Sequence, residues 1–273
     1  MKISINITTW NRKKMTEFCI NSLIETTNRK QFKLIVVDNF STDGTVDMLK
    51  KMKNENIIDK LILNSKNLHL GKAVNQAWDS TDKDTEWVLW CNNDFFFMDN
   101  WLDNFTLVVN DLNVDFINCL NLEGNSRNKI APGIPKKTKK GGSYLKPVLR
   151  KNKIFETGAA PALKKSLVDK YNIRVSEKPF MKGYTGPSTP FYKRLHNLKL
   201  KGVRLDKPCL LLQFGEYNNP LYKKYYNNTF KTRGMEKVLK YFKKYENATN
   251  LAKYYEGTNY LDRIRNLEKN QRR

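Results

Sequence analysis

The first 95 residues alternate between short apolar runs and amphipathic stretches, and this alternation constrains the fold more than any other feature of the chain. Residues 3–8 (Ile-Ser-Ile-Asn-Ile-Thr) are apolar at every second position, the period of a strand. Phe32–Asp38, Ile57–Leu63 and Trp87–Cys91 are apolar runs of strand length. Between them the spacing predicts helices over about 13–27, over about 45–53 and from Lys72 to Asp79. The first of these has Met15, Phe18, Cys19, Ser22 and Leu23 on one face. Parallel strands need a crossover to join them, and a helix supplies it, so regular strand–helix alternation specifies an α/β domain with a parallel sheet. Such sheets bind ligands beyond the carboxyl ends of their strands.

Three of the strand ends are polar: Thr8–Arg12, Asp38–Thr45 and Asn92-Asn93-Asp94. Taken alone, each reads equally as turn chemistry. Asn92-Asn93-Asp94 follows an apolar run and precedes Phe95-Phe96-Phe97. A carboxylate at that place offers a hard oxygen to Mg²⁺ or Mn²⁺, so Asp94 is a candidate ligand for either ion.

Charge is the most unusual global property. Fifty Lys and Arg against 27 Asp and Glu leave a formal +23, which points to a polyanionic partner. Residues 124–155 hold ten bases and no acid among Gly, Pro and Ser; Arg127, Lys136, Lys137, Lys139, Lys140 and Arg150 are the candidate nucleic-acid contacts. The alternative reading of this stretch is a solvated loop. From Pro220 onward the chain reads as a helical extension with 14 Lys and Arg against five acids and aromatic residues throughout. Its aromatics suit packing on the domain or stacking on single-stranded bases. Cys19, Cys91, Cys119 and Cys209 are widely spaced, without the pairs of a zinc site or disulfide framework, which suits a reducing cytoplasm. Met1–Asn6 reads as a strand opening rather than a leader, and no run reaches the roughly 18 apolar residues of a membrane span.

The three strand ends, in this order and spacing, resemble those of glycosyltransferase family 2. The opening turn is Thr8-Thr9-Trp10-Asn11-Arg12, and the second is Asp38-Asn39-Phe40-Ser41-Thr42-Asp43-Gly44-Thr45. A third signature appears as Asn67-Leu68-His69-Leu70-Gly71-Lys72-Ala73-Val74-Asn75, with two residues inserted before the glycine, and the family's Asp-x-Asp corresponds to Asn92-Asn93-Asp94. The resemblance implies the glycosyltransferase A fold, a Rossmann-like, mostly parallel sheet flanked by helices. It implies a UDP-sugar donor held by Thr8, Trp10, Asn11, Arg12, Asp38, Asn39, Lys72, Asn92 and Asn93, with Mn²⁺ or Mg²⁺ on Asp94. Gln213 and Glu216, at the end of the apolar run 207–216, stand where the family places a further metal ligand.

The chain departs from the family at the acceptor side. Phe155–Ser166 resembles the family's Gly-Ala turn and short helix, but the family's Gly-Glu-Asp is Gly186-Pro187-Ser188 here, ahead of a helix containing Phe191–Leu195. Ser188 lacks the basicity to deprotonate a hydroxyl at neutral pH. The base then comes from elsewhere, with Glu177 or Glu156 nearest, or the reaction retains configuration, or the scaffold only binds. The organisation expected is a nucleotide-sugar half (1–100), an acceptor half (101–218) with the basic stretch inside it, and the basic extension (219–273). The acceptor favoured by the charge is duplex DNA carrying hydroxymethylated bases, in a host cytoplasm if the source is viral. The alternatives are a cell-surface polysaccharide or lipid-linked glycan, and a non-catalytic nucleic-acid-binding module. No integral membrane association is expected, and the oligomeric state is left open.

Overall fold

β1 (Ile3–Thr9) is buried along its whole length and sets the two faces of the sheet. Ile3, Ile5 and Ile7 enter the larger core; by alternation Ser4, Asn6 and Thr8 point to the opposite face. A computed structural model describes residues 1–97, 100–119, 133–147, 160–178, 188–205 and 209–211 of the chain.

From β1 the chain passes through α1 (Lys13–Thr26) to β2 (Phe32–Asp38), then through α2 (Thr45–Asn54) to β3 (Lys60–Leu63). It returns by α3 (His69–Asp79) to β4 (Trp87–Asn92), which pairs with β1 on the side away from β2. All these pairings are parallel. The chain therefore winds outward in one direction, then restarts at β1 in the other, and the crevice between β1 and β4 is a topological switch point.

Beyond β4 come β5 (Phe95–Phe97), α4 (Trp101–Asp111), β6 (Phe116–Asn118), β7 (Gly133–Lys137) and β8 (Ser143–Pro147). These are followed by β9 (Pro161–Lys164), α5 (Lys165–Lys170), α6 (Ser188–Asn197), β10 (Gly202–Leu205) and β11 (Cys209–Leu211). The large sheet has the order β3-β2-β1-β4-β9-β6-β10-β8-β7, and β5 pairs with β11 in a small antiparallel sheet. Only β8 and β9 run against the other strands of the large sheet. This is the expected mostly parallel α/β sheet flanked by helices.

The core is split by the sheet. On one face, α1, α2 and α4 pack Cys19, Leu23, Leu49, Trp101, Phe105 and Val108 against the isoleucines of β1 and against Leu89 of β4. On the other, Val74 and Trp78 of α3 meet Val88 and Trp90 of β4 and Phe191 of α6. Alternate residues of β2 and β4 feed each face, which is why their sequences are apolar without a period.

Three elements differ from the sequence expectation. β3 starts at Lys60 rather than Ile57, because Ile57 and Ile58 close the end of α2 through N–H bonds to the Met52 carbonyl. α3 starts at His69, in the left-handed region with φ 66°, three residues ahead of Lys72. The basic stretch contains a hairpin, β7–β8, where a solvated loop is the alternative reading from sequence. Its turn is built locally: the Thr138 N–H donates to the Gly142 carbonyl at 2.7 Å, the Gly142 N–H donates to Thr138 Oγ1, and Gly141 takes φ +91°. It is also pinned to α4. The Asn104 amide brackets Ser143 through bonds of 2.6 and 2.9 Å, and Asp111 accepts the Lys140 N–H at 2.7 Å. That N–H, with the Thr138 hydroxyl, holds the Asp111 carboxyl below the usual carboxylate range.

α3 is fixed from its outer side by the segment 173–178. Asn75 closes a two-bond clamp on Val175, donating to its carbonyl and accepting its N–H, each at 3.0 Å. Gly71 lets the backbones meet, since a Cβ there would overlap the carbonyl of Ser176. Gly71→Ala is therefore expected to destabilise the protein by about 2 kcal/mol, as overpacking against an unyielding backbone does. Urea unfolding of the variant beside the parent checks this.

Candidate functional site

The carboxyl edge of β3, β2, β1 and β4 gathers most of the polar residues singled out from the sequence. Register places Leu63, Asp38 and Thr9 level on adjacent strands, with Thr8 level with Asn92.

The turn after β1 has an unusual backbone. Asn11 and Arg12 are consecutive left-handed residues, with φ of 56° and 67°. Asparagine tolerates this conformation; arginine does so at a cost that neighbours must offset. The neighbours are specific. Asn11 donates its N–H to Ser41 Oγ at 2.6 Å, and its side-chain oxygen accepts the Thr42 N–H at 2.8 Å. The Arg12 carbonyl accepts from the N–H and hydroxyl of Thr16 at 2.9 and 3.1 Å.

From the β4 side, Asn93 reaches into the same turn. Its buried amide donates to Thr9 Oγ1 at 3.0 Å and Thr16 Oγ1 at 2.9 Å. Asn93 thus ties the end of β4 to both ends of the β1–α1 turn. Asn39 has a comparable internal task. It accepts the Leu68 N–H at 2.9 Å and donates to Asn67 at 2.8 Å, holding the loop before α3 against the end of β2. The Asn92 side-chain oxygen accepts from the Trp90 indole at 3.1 Å.

The turn after β2 is organised by two carboxylates. Asp38, 1% exposed, accepts from the N–H and hydroxyl of Ser41 at 2.9 and 2.5 Å. Asp43 accepts from the hydroxyl and N–H of Thr45 at 2.5 and 3.2 Å, and from the Lys13 N–H at 3.0 Å. Burial, the largest single influence on Asp43, pushes its carboxyl up. The bonds from Thr45 and Lys13 together outweigh that and hold it below its ordinary value.

Other residues complete this edge. Asp94 is 2% exposed, and its Oδ2 lies 3.4 Å from Arg12 Nη1 across the switch-point crevice. Thr8 Oγ1 is buried and has no hydrogen-bond partner among the described residues. Trp10 and Phe40 are 40% and 48% exposed at the ends of β1 and β2, and Leu63 is 43% exposed at the end of β3. Sequence reasoning missed Phe40, although an aromatic residue inside a polar turn, here with φ 73°, is its own signal. Lys72 is exposed in the first turn of α3. Glu177 is exposed on the clamped segment and accepts from Asn75 Nδ2 at 2.9 Å. Ser188 opens α6 and is half-buried. Lys136, Lys137, Lys139 and Lys140 are exposed on the β7–β8 hairpin. Arg127, Arg150, Glu156, Gln213, Glu216 and the extension 219–273 lie outside the described residues.

Among the described residues no three His, Cys, Asp or Glu side chains converge as a metal cage. One buried carboxylate at the switch point is a donor set of hard oxygen. It fits Mg²⁺ or Mn²⁺, which take one or two carboxylates and complete their shell with water and substrate phosphates. No helix among the described residues is long and apolar enough to cross a membrane.

Comparison with known proteins agrees with this architecture. The family model for glycosyl transferase family 2 matches residues 4–171. S. aureus TarS (residues 1–349, with UDP-GlcNAc) superposes with a TM-score of 0.61 at 19% identity, over 77% of this chain and 58% of that one. The mannosyltransferase PcManGT from Pyrobaculum calidifontis, with GDP-Man and Mn²⁺, gives 0.57 at 15% identity, over 77% and 56%. GalNAc-T7, with UDP, GalNAc and Mn²⁺, gives 0.54 at 12% identity, over 77% and 43%. At these identities the likeness is one of fold, and the chain spans only about half the length of these structures. No curated protein matches by sequence.

The depressed Asp43 carboxyl gives a signed expectation. Its contribution to stability is complete above the ordinary carboxylate pKa of about 4 and is lost as pH falls through the lower folded value. Asp43→Asn is expected to cost about 0.5 kcal/mol at pH 7, a capping value discounted for solvent exposure. The gap to the parent narrows as pH falls through that lower folded value. Urea titrations at pH 7 and at successively lower pH check it.

Proposed function

The chain belongs to glycosyl transferase family 2, and on that premise we propose that it moves a sugar from a UDP-sugar to an acceptor hydroxyl with the help of Mn²⁺ or Mg²⁺. The observation that carries this reading is the Arg12–Asp94 pair at the β1–β4 switch point, with Thr8 level with Asn92 and Asp38 level with Thr9 on the adjoining strands. The nucleotide-sugars and Mn²⁺ bound by the structural relatives support it.

In this reading the nucleoside lies over the ends of β1 and β2. Thr8 Oγ1 supplies a hydrogen-bonding group that no described residue uses, and Asp38 faces the base or ribose. Trp10 and Phe40 offer apolar cover for the base. Asn11, Asn39, Asn92 and Asn93 act mainly by holding the turns that shape this seat. Arg12 and Lys72 neutralise the diphosphate. Asp94 holds the cation, whose chemistry when bound is to stabilise charge on the departing diphosphate.

At the acceptor side we assign proton removal to Glu177. Asn75 and Gly71 fix its segment against α3, and Asn75 also orients its carboxylate. The acceptor oxygen bonds to the anomeric carbon, the bond from that carbon to the diphosphate oxygen breaks, its electron pair leaves with UDP, and the proton passes to Glu177. Configuration is inverted, so product with the donor's own anomeric configuration by NMR would remove Glu177 from this role. Ser188 then lies along the acceptor site without acting as a base.

For the acceptor we propose duplex DNA carrying hydroxymethylated bases. Support comes from the +23 charge and from a hairpin that presents Lys136, Lys137, Lys139 and Lys140 on a turn pinned to α4. A flipped base would bring its hydroxyl to the site. A cell-surface or lipid-linked glycan is the other acceptor class, and transfer to such a glycan with none to DNA would replace the DNA reading.

Two experiments test these assignments. Asp94→Ala is expected to lower Mn²⁺-dependent hydrolysis of UDP-sugar on the order of 100-fold or more, because a ligand and its charge both disappear. Full activity in that variant would remove Asp94 from the metal role. Affinity for hydroxymethylated duplex DNA is expected to fall steeply from about 50 to about 200 mM salt. Replacing the four hairpin lysines by serine should flatten that slope by roughly 0.9 for each phosphate no longer neutralised. DNA binding without any sugar transfer would mark a binding module.

A further inference from the structure

We propose that Arg12 is a built-in counter-ion for Asp94, one that changes partner when donor binds: it pairs with Asp94 in the free protein and turns to the diphosphate in the complex. This rests on the reading of Asp94 as the cation ligand.

Four observations carry it. First, the Asp94 side chain is 3% exposed and the Arg12 side chain 13%, so the pair is largely withdrawn from water. A carboxylate so placed is costly to keep charged without a cation beside it. Second, the contact at 3.4 Å is longer than the 2.7–2.9 Å of a strong charge-assisted hydrogen bond, as suits a pair that must separate. Third, the Arg12 backbone is fixed in the left-handed region by the bonds of its carbonyl to Thr16, and Asn93 secures the same turn from β4. A change of partner would therefore fall to the side chain and leave the backbone in place. Fourth, Arg12 stands at the end of β1 and Asp94 just past the end of β4, so the crevice between them is where this fold receives a phosphorylated ligand. A divalent cation and a guanidinium compete for the same buried charge, and the diphosphate gives the displaced guanidinium a bidentate partner.

The competition has two consequences of opposite sign. Removing the guanidinium takes one competitor with metal away from Asp94, and it also takes away a charged partner for the nucleotide. The test measures both on the full chain: Mn²⁺ alone by electron paramagnetic resonance of the free ion, and UDP in EDTA by calorimetry. Arg12→Gly removes the charge and suits the left-handed backbone, but it takes a counter-charge away from a buried carboxylate, so the melting temperature is expected to fall without metal and to recover when Mn²⁺ is added. Arg12→Asn is the second neutral variant compatible with that backbone.

Both variants are expected to bind Mn²⁺ on the order of ten-fold tighter, and UDP in EDTA about ten-fold weaker, as the loss of a charged hydrogen-bonding partner implies. Arg12→Lys keeps the charge and should stay near the parent for Mn²⁺. Unchanged or weaker Mn²⁺ binding in both neutral variants, with Asp94→Asn abolishing it, overturns the exchange while leaving the metal site standing. Parent-like Mn²⁺ binding in Asp94→Asn overturns the metal assignment, and the exchange with it. A role for Arg12 in turn folding alone would weaken both ligands together, and Mn²⁺ would not restore the melting temperature.

Discussion

A chain leaving a parallel strand for a helix must turn sharply within a few residues, and here it does so through Asn11 and Arg12, both at positive φ. Nothing in the local sequence makes this conformation favourable for arginine. It is imposed by bonds from three directions: Ser41 and Thr42 from the next strand end, Thr16 from the helix that follows, and Asn93 from the strand across the crevice. The Asn93 bonds also fasten the end of β4 to this turn, beyond the last paired residues Thr8 and Asn92. Asp94 and Arg12 face one another because of them, so the chemistry proposed for the site depends on a backbone that would not be stable alone.

The fold from β1 to β4 is legible in the sequence, and the reason is physical. β2 was bounded correctly because Phe32–Asp38 is apolar on both faces and ends in a carboxylate. α1 and α2 were placed within a residue or so because amphipathic faces leave a strong period. The later strands were less legible. β6, β9 and β10 are three or four residues long, too short to show a period, and they exist because neighbouring strands complete their hydrogen bonds. The β7–β8 hairpin was hidden by its lysines. Its stability comes from Asn104 and Asp111 on α4, at sequence separations of 39 and 29, which no local pattern reveals.

The site was legible in type more than in role. A strand-end motif rich in Asn, Asp, Ser and Thr looks like a set of ligands, and much of it is already bonded within the protein. Asn39 and Asn93 illustrate this: each reads from the sequence as a nucleotide-sugar contact, and each spends its amide within the protein. Residue type cannot separate the two uses, because an amide that binds ribose and one that clamps a turn need the same donors and acceptors. What separates them is whether the bonds are already filled. Thr8 and Thr9 make the point as neighbours: strand alternation sends Thr9 to the Asn93 clamp and Thr8 to the other face, where its hydroxyl has no described partner.

The Asn75 clamp on Val175 also bears on the order in which the protein assembles. It joins residues 100 positions apart, and the Asn93 bonds to the β1–α1 turn span 84 and 77, whereas the turn bonds at Asn11 span about 30. Closing a longer loop costs more chain entropy, and contacts of high sequence separation form late. The turns after β1 and β2, joined over the shortest separations, are therefore expected to organise first. The end of β4 and the segment bearing Glu177 are expected to dock afterwards. A nascent chain would thus shape the paired turns before it can place either Asp94 or Glu177.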